Sequence, residues 1–131
     1  MILDTSAIVA VLQGAPEAEQ MAAAIEDADR VRISAATLVE ASLVLGPTRQ
    51  DLLDAFVEVC GAEVVAVDAE QAGRARTAHL VFGRGSGSPA RLNYGDCFSY
   101  ALAATTGEAL LFKGQDFIHT DLRVALAAGD D

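Results

Sequence analysis

The sequence predicts an α/β fold, a parallel sheet enclosed between helices, on three observations. Short aliphatic runs alternate with longer amphipathic segments along the chain, the pattern of strands joined by crossover helices. Capping and turn residues punctuate the boundaries, notably Ser34, Gly46, Pro47 and Asp68. Two carboxylates, Asp4 and Asp116, each follow an apolar strand, where parallel sheets open their ligand crevices. Crossovers between such strands are right-handed.

The elements follow in order. In MILDTSAIVAVL, Met1 to Leu3 read as a buried strand, Ala7 to Leu12 as an apolar helix, and Ser6 as the N-cap between them. Gly14 and Pro16 mark a turn, and residues 17 to 28 have the period of an amphipathic helix. Val31 to Ile33 is a short strand, after which Ser34 caps the helix AATLVEASLVL, ended by Gly46 and Pro47. Asp51 to Cys60 is a further amphipathic helix, Glu63 to Val67 a β-branched strand, and Asp68 caps a helix to about Phe82. Residues 83 to 91, GRGSGSPAR, form a flexible loop of the kind that sits near sites. Asp96 opens the helix DCFSYALAATT, ALLF at 109 to 112 is a strand, and Lys113 to Asp116 turn away from it. Phe117 to Val124 supply a last short helix or turn and an edge strand, and ALAAGDD frays.

At 131 residues the chain suits one domain with a sizeable core. A hydrophobic share of 52% with little aromatic content excludes disorder. Cys60 and Cys97 are too few for a disulfide framework and read as small apolar core residues, so a reducing cytoplasm is the expected compartment. No basic start precedes an apolar stretch, and no apolar run approaches the roughly 18 residues of a membrane span.

The net charge of −10 argues at first against a nucleic-acid partner. Its distribution weakens that objection. Residues 1 to 73 hold three basic and thirteen acidic residues, whereas residues 74 to 131 hold six of each. Between 74 and 113 stand Arg74, Arg76, Arg84, Arg91 and Lys113 against only Asp96 and Glu108. An acidic protein can therefore present one locally basic flank, with Arg76, Arg84, Arg91 and Lys113 as candidate phosphate contacts. His79 reads equally as a contact of that flank or a surface residue.

Four acids stand out as a set: Asp4 and Asp116 after strands, Asp96 opening a late helix, and Glu40, the only charge on its apolar helix. The strand-end rule brings Asp4 and Asp116 to one sheet edge, which Glu40 and Asp96 can reach from either flank. At about 5 Å and an effective dielectric near 20, each carboxylate pair costs about 3 kcal/mol. Such a cluster needs protons or cations. A hard divalent ion, Mg²⁺ or Mn²⁺, is the natural partner, and its chemistry suits phosphodiesters. Asp121 reads as a cap for the last turn or as a fifth acid.

With these motifs together, LDTSAIVAVL, TLVEASLVL, LNYGDCFSYALA and LLFKGQDF, the chain resembles the PIN-domain ribonucleases, and more narrowly the VapC toxins. The resemblance covers the whole chain as one PIN domain. It implies a PIN-like three-layer fold, a five-stranded parallel sheet with helices on both faces. It further implies a Mg²⁺-dependent endoribonuclease, with Mn²⁺ as a substitute, in which water attacks the phosphodiester and leaves 3′-hydroxyl and 5′-phosphate ends. Asp4, Glu40, Asp96 and Asp116 match the catalytic acids, Asp4, Asp96 and Asp116 as metal ligands, with Thr5 or Ser6 in a supporting place. A homodimer and a VapB-like antitoxin are implied as partners, the antitoxin's C-terminal segment laying a basic side chain near the carboxylates. No histidine is needed as a base, neither His79 nor His119.

Two other readings stay open on the sequence. A PIN scaffold can bind RNA or protein without cutting. A phosphoacceptor receiver domain also has an acidic Mg²⁺ pocket, but it needs two adjacent acids after the first strand, where this chain has Asp4 followed by Thr5. Ser6 likewise stands where a haloacid-dehalogenase phosphatase needs its second Asp.

Overall fold

The computed structural model describes residues 1–126. Its strands are short: β1 (Ile2–Leu3), β2 (Arg32–Ser34), β3 (Glu63–Val65) and β4 (Leu110–Leu111). They form one parallel sheet in the order β3-β2-β1-β4. Register is set by Ile2 opposite Arg32 on one side and Leu110 on the other, with Ile33 opposite Val64.

Six helices connect and cover the strands: α1 (Thr5–Leu12), α2 (Ala18–Asp27), α3 (Ala35–Leu45), α4 (Gln50–Val59), α5 (Ala69–Phe82) and α6 (Tyr94–Thr106). Side chains of a strand alternate between faces, and the two cores divide accordingly. Ile2 and Leu110 pack with Ala75 and Ala78 of α5 and Ala101 and Leu102 of α6. Their neighbours Leu3 and Leu111 pack on the opposite face with Ile8, Met21, Ile33, Ala41 and Leu53, contributed by α1, α2, β2, α3 and α4. Cys97 is buried and Cys60 half-buried, both free thiols. Among the described residues, no helix is long and apolar enough to cross a membrane.

Local chemistry explains most boundaries. Ser34 accepts from the Ala36 N–H to start α3, and Asp68 accepts from the Gln71 N–H to start α5. Gly107 closes α6 in the left-handed region, where its lack of a Cβ removes the steric penalty. At the amino edge of the sheet, Glu108 accepts from the Met1 amine at 2.8 Å and lies 3.3 Å from Arg32. Charge there is paired; at the carboxyl edge, among the described residues, no basic side chain pairs with Asp4, Glu40 or Asp96.

Beyond shifts of one or two residues at element ends, such as β3 stopping at Val65 rather than Val67, four features differ from the sequence reading. Asp4, not Ser6, is the N-cap of α1, because β1 ends at Leu3 and the helix starts at once. Asp96 does not open α6; Asn93 is its N-cap, and Asp96 completes a capping box from the first turn. The fifth strand is reduced to a single bridge of Val124 to Leu110, in which the Leu110 N–H donates to Arg123 and the Ala125 N–H to Leu110. It stays that short because residues 120 to 122 are held in turns by Thr120 on the Phe117 carbonyl and by Tyr100 on Asp121. The loop at 83 to 91 is tied rather than loose, closed by a Gly83–Leu92 bridge and braced by Ser86 and Ser88 hydroxyls, with Ala90 and Leu92 fully buried. Of ALAAGDD, residues 127 to 131 lie outside the described residues.

Ile33 is fully buried on a central strand, whereas Val64 on the edge strand is 41% exposed. Ile33→Ala is expected to lower unfolding free energy by about 2–5 kcal/mol and Val64→Ala by under about 1 kcal/mol, measured by urea denaturation. Equal losses would contradict the assignment of central and edge strands.

Candidate active site

The carboxyl ends of β1 and β4 meet at Asp4. Its N–H continues the ladder by donating to the Leu111 carbonyl at 3.0 Å. Its side chain is 3% exposed and accepts three hydrogen bonds, from the Ser6 N–H at 3.0 Å, the Ser6 hydroxyl at 2.6 Å and the Ser99 hydroxyl at 2.6 Å. Standing at the N-terminus of α1, it also faces the positive end of a helix dipole. The Ser6 hydroxyl in turn accepts from the Lys113 N–H at 2.9 Å, which pins the turn after β4 to the start of α1.

Glu40 enters from α3, where its carboxylate accepts from the Thr5 hydroxyl at 2.5 Å. It lies directly over the backbone of Gly95 in α6, so closely that a methyl group there would occupy the carboxylate's space. Asp96 enters from the first turn of α6, its carboxylate accepting the Asn93 N–H at 3.0 Å. Together Asp4, Thr5, Ser6, Glu40, Asn93, Asp96 and Lys113 line an open cleft of about 340 Å³, with Val9, Ala10, Gln13, Ala15 and Val44 as its apolar wall. Asp116 is exposed at the start of a 3₁₀ turn, Asp116–His119, beside this cleft rather than among its lining residues.

Electrostatics bind the four acids into one group. Asp96 is pushed up to about 6, first by burial and then by the negative charges of Asp4, Asp116 and Glu40, against the lowering pull of the Asn93 N–H. No three Asp, Glu, His or Cys side chains among the described residues converge closely enough to hold a metal ion unaided. The donors are all oxygens, carboxylates and hydroxyls. Such a set fits a hard cation that keeps several waters and takes one or two carboxylates directly.

The predicted basic contacts do not assemble into one patch. Lys113 lines the acidic cleft, 3.8 Å from Glu17. Arg76 stands on the exposed side of α5, lining a separate pocket with His79, Tyr94 and Phe98. Arg84 and Arg91 are exposed in the loop after α5. Asp121 is neither cap nor fifth acid: it accepts from the Tyr100 hydroxyl at 2.6 Å and lines a different cleft with Arg74 and Arg123.

The family model described as PIN domain matches residues 1–122. This chain belongs to the PIN-domain family. Within it, the chain is similar to ribonuclease VapC42 of Mycobacterium tuberculosis, 48% identical over 129 residues, covering 95% of this chain and 98% of that one. It is 46% identical over 127 residues to ribonuclease VapC30 of the same organism, covering 93% and 95%. In fold it is similar to the crystal structure of M. tuberculosis VapC20, a sarcin-ricin loop cleaving toxin, at TM-score 0.74 and 17% identity over 92% of this chain and 95% of that one. A toxin–antitoxin complex from Klebsiella pneumoniae matches at TM-score 0.65 and 18% identity, covering 88% of each chain. The receiver-domain reading falls with the family assignment.

Reading this PIN domain by sequence alone missed three site residues. Ser99, the direct partner of Asp4, sits inside an apolar helix and carries no spacing signal. Gly95 matters only because Glu40 packs over it. Asn93 was legible in principle, since an Asn three residues before an Asp is a capping-box pattern.

The raised Asp96 gives a sign to stability. Its native state holds an extra proton between the ordinary carboxylate value of 3.8 and about 6, so this group's contribution is lost as pH rises through that window. Asp96→Asn keeps an acceptor for the Asn93 N–H and removes the charge. In chelator, its melting temperature is expected to exceed wild type at about pH 7.5, the gap narrowing toward pH 4.5. A gap independent of pH would contradict the clustering.

Proposed function

We propose that this chain is a VapC-type endoribonuclease toxin that hydrolyses RNA phosphodiester bonds with Mg²⁺ or Mn²⁺, leaving 3′-hydroxyl and 5′-phosphate ends. The observation that carries the reading is the convergence of Asp4, Glu40 and Asp96 on one cleft, with Asp116 close enough to raise Asp96. Asp4 and Asp96, which line the cleft, would take the ion directly, and Asp116 beside it would help to hold it through water. When bound, it supplies positive charge to phosphate oxygens and acidifies a water at near-neutral pH.

The chain's own residues do the positioning. Asp4 is fixed by Ser6 and Ser99, so its carboxylate meets the substrate side in one orientation. Glu40, held by Thr5, faces the same cleft, and in this reading it would take a proton from the attacking water. Lys113 at the cleft wall, and Arg76, Arg84 and Arg91 beyond it, offer cations to the RNA backbone.

The surface also suits the expected partners. An apolar groove of about 620 Å³ between α1, α2 and α4, lined by Leu12, Ile25, Leu52, Phe56 and Val59 among others, fits an amphipathic segment of a VapB-like antitoxin. Helix α1 borders both that groove and the acidic cleft, so one segment can cross from apolar contacts to a basic side chain among the acids. Leu43 and Leu80 are more than three-quarters exposed, on α3 and α5, and suit a homodimer contact. The two free thiols suit a reducing cytoplasm.

Purified protein incubated with total RNA is expected to give discrete products in Mg²⁺ or Mn²⁺ and none in chelator, with Asp4→Asn and Asp96→Asn inactive. RNA bound equally by wild type and variants, but uncut in every metal, would instead support a non-catalytic scaffold. Gly95→Ala drives a methyl group into the Glu40 carboxylate and is expected to slow cleavage by on the order of 100-fold. Cleavage by Glu40→Gln at the wild-type rate would remove Glu40 from the chemistry.

A further inference from the structure

Two hydroxyls behind Asp4 are almost wholly shielded from solvent: Ser99 is 0% exposed and Thr37 1%. The Ser99 Oγ lies 2.6 Å from Asp4 Oδ1 and 3.1 Å from Thr37 Oγ1. An ionised carboxylate has no proton to give, so the single Ser99 proton goes to Asp4. Ser99 is left with lone pairs only, and the Thr37 hydroxyl must donate to it. The order of protons is therefore fixed: Thr37 to Ser99 to Asp4.

Helical hydroxyls ordinarily satisfy themselves on a carbonyl one turn back. Thr105 and Thr106 of α6 do so, on the carbonyls of Ala101 and Leu102. Ser99, on the same helix, spends its proton on Asp4 instead. The count of lone pairs says what this achieves. Asp4 Oδ2 takes both Ser6 donors, whereas Oδ1 takes Ser99 alone. Among the described residues Oδ1 therefore has no other hydrogen-bond donor, and its one contact is with a fully buried hydroxyl.

Helices α3 and α6 also touch a second time, one turn away, where Glu40 covers Gly95. Thr37 and Glu40 lie one turn apart on α3, Ser99 and Gly95 one turn apart on α6. The same helix pair thus sets both carboxylates, one through hydroxyls and one through backbone contact.

We propose that Thr37 and Ser99 are positioning residues, a buried hydroxyl relay that orients Asp4 and so sets the affinity of the cleft for a divalent cation. The relay rests on the metal-dependent reading above. Groups that orient a ligand from behind are typically worth 10- to 100-fold in metal affinity.

The test is a Mn²⁺ titration without RNA, following free Mn²⁺ by electron paramagnetic resonance, with melts in chelator to verify folding. Ser99→Ala is expected to weaken Mn²⁺ binding about tenfold. Thr37→Val weakens it severalfold, Thr37→Ser leaves it as in wild type, and the double variant binds no more weakly than Ser99→Ala alone. Ser99→Ala binding as tightly as wild type would overturn the relay while leaving the metal reading in place. So would a Thr37→Val loss that persists in full in the Ser99→Ala background. Wild type that takes up no Mn²⁺ overturns both. Should Ser99→Ala melt below the assay temperature, Thr37→Val against Thr37→Ser carries the decision, and equal affinities there overturn the relay.

Discussion

The rest of this structure depends on one electrostatic constraint: four carboxylates are gathered at the carboxyl edge of a parallel sheet with no matching set of cations. Among the described residues, Lys113 is the one basic side chain lining the cleft. The amino edge of the same sheet shows the contrast, since there the Met1 amine and Arg32 both meet Glu108. The strands are two or three residues long, so the first residue past each strand already stands at the edge. Short strands are what let Asp4 follow Leu3 directly and still be covered by helices from both faces.

Within the cluster the burden is divided unequally. Asp4 is the most buried of the four and the best satisfied, with three donors and a helix N-terminus. Asp96 has one backbone donor, and burial together with its three acidic neighbours holds it up at about 6. A site built this way has one acid satisfied by the fold and one whose charge is unfavourable beside its neighbours. That asymmetry links stability and proton binding through the same residues.

Much of this was legible in the sequence, and the reasons are local. Ser34, Gly46 and Asp68 mark helix ends by side-chain and backbone chemistry that acts within a few residues, and they stand where expected. The four acids could be picked out because Asp4 and Asp116 come after apolar strands, Glu40 is the only charge on an apolar helix, and Asp96 stands at the start of a late one. What could not be read depends on packing between segments distant in sequence. Ser99 looks like any small residue of an apolar helix until α6 is laid against Asp4. Gly95 looks like loop composition until Glu40 closes over it. The segment at 83 to 91 has the composition of a loose linker, yet burial of Ala90 and Leu92 ties it down. The fifth strand shrank to one bridge at Val124 because contacts made by Thr120 and Asp121 hold the preceding chain in turns.

The most direct test of the central claim is calorimetric titration of Mn²⁺ into the protein at about pH 6, repeated in buffers of different ionisation enthalpy. With Asp96 near 6, roughly half of the molecules carry a proton there before metal arrives. Mn²⁺ uptake is expected to release a fraction of a proton in wild type, and Asp96→Asn to abolish the release. Mn²⁺ binding with no proton release, or release unchanged in the variant, would contradict the view that these carboxylates form one mutually repelling site.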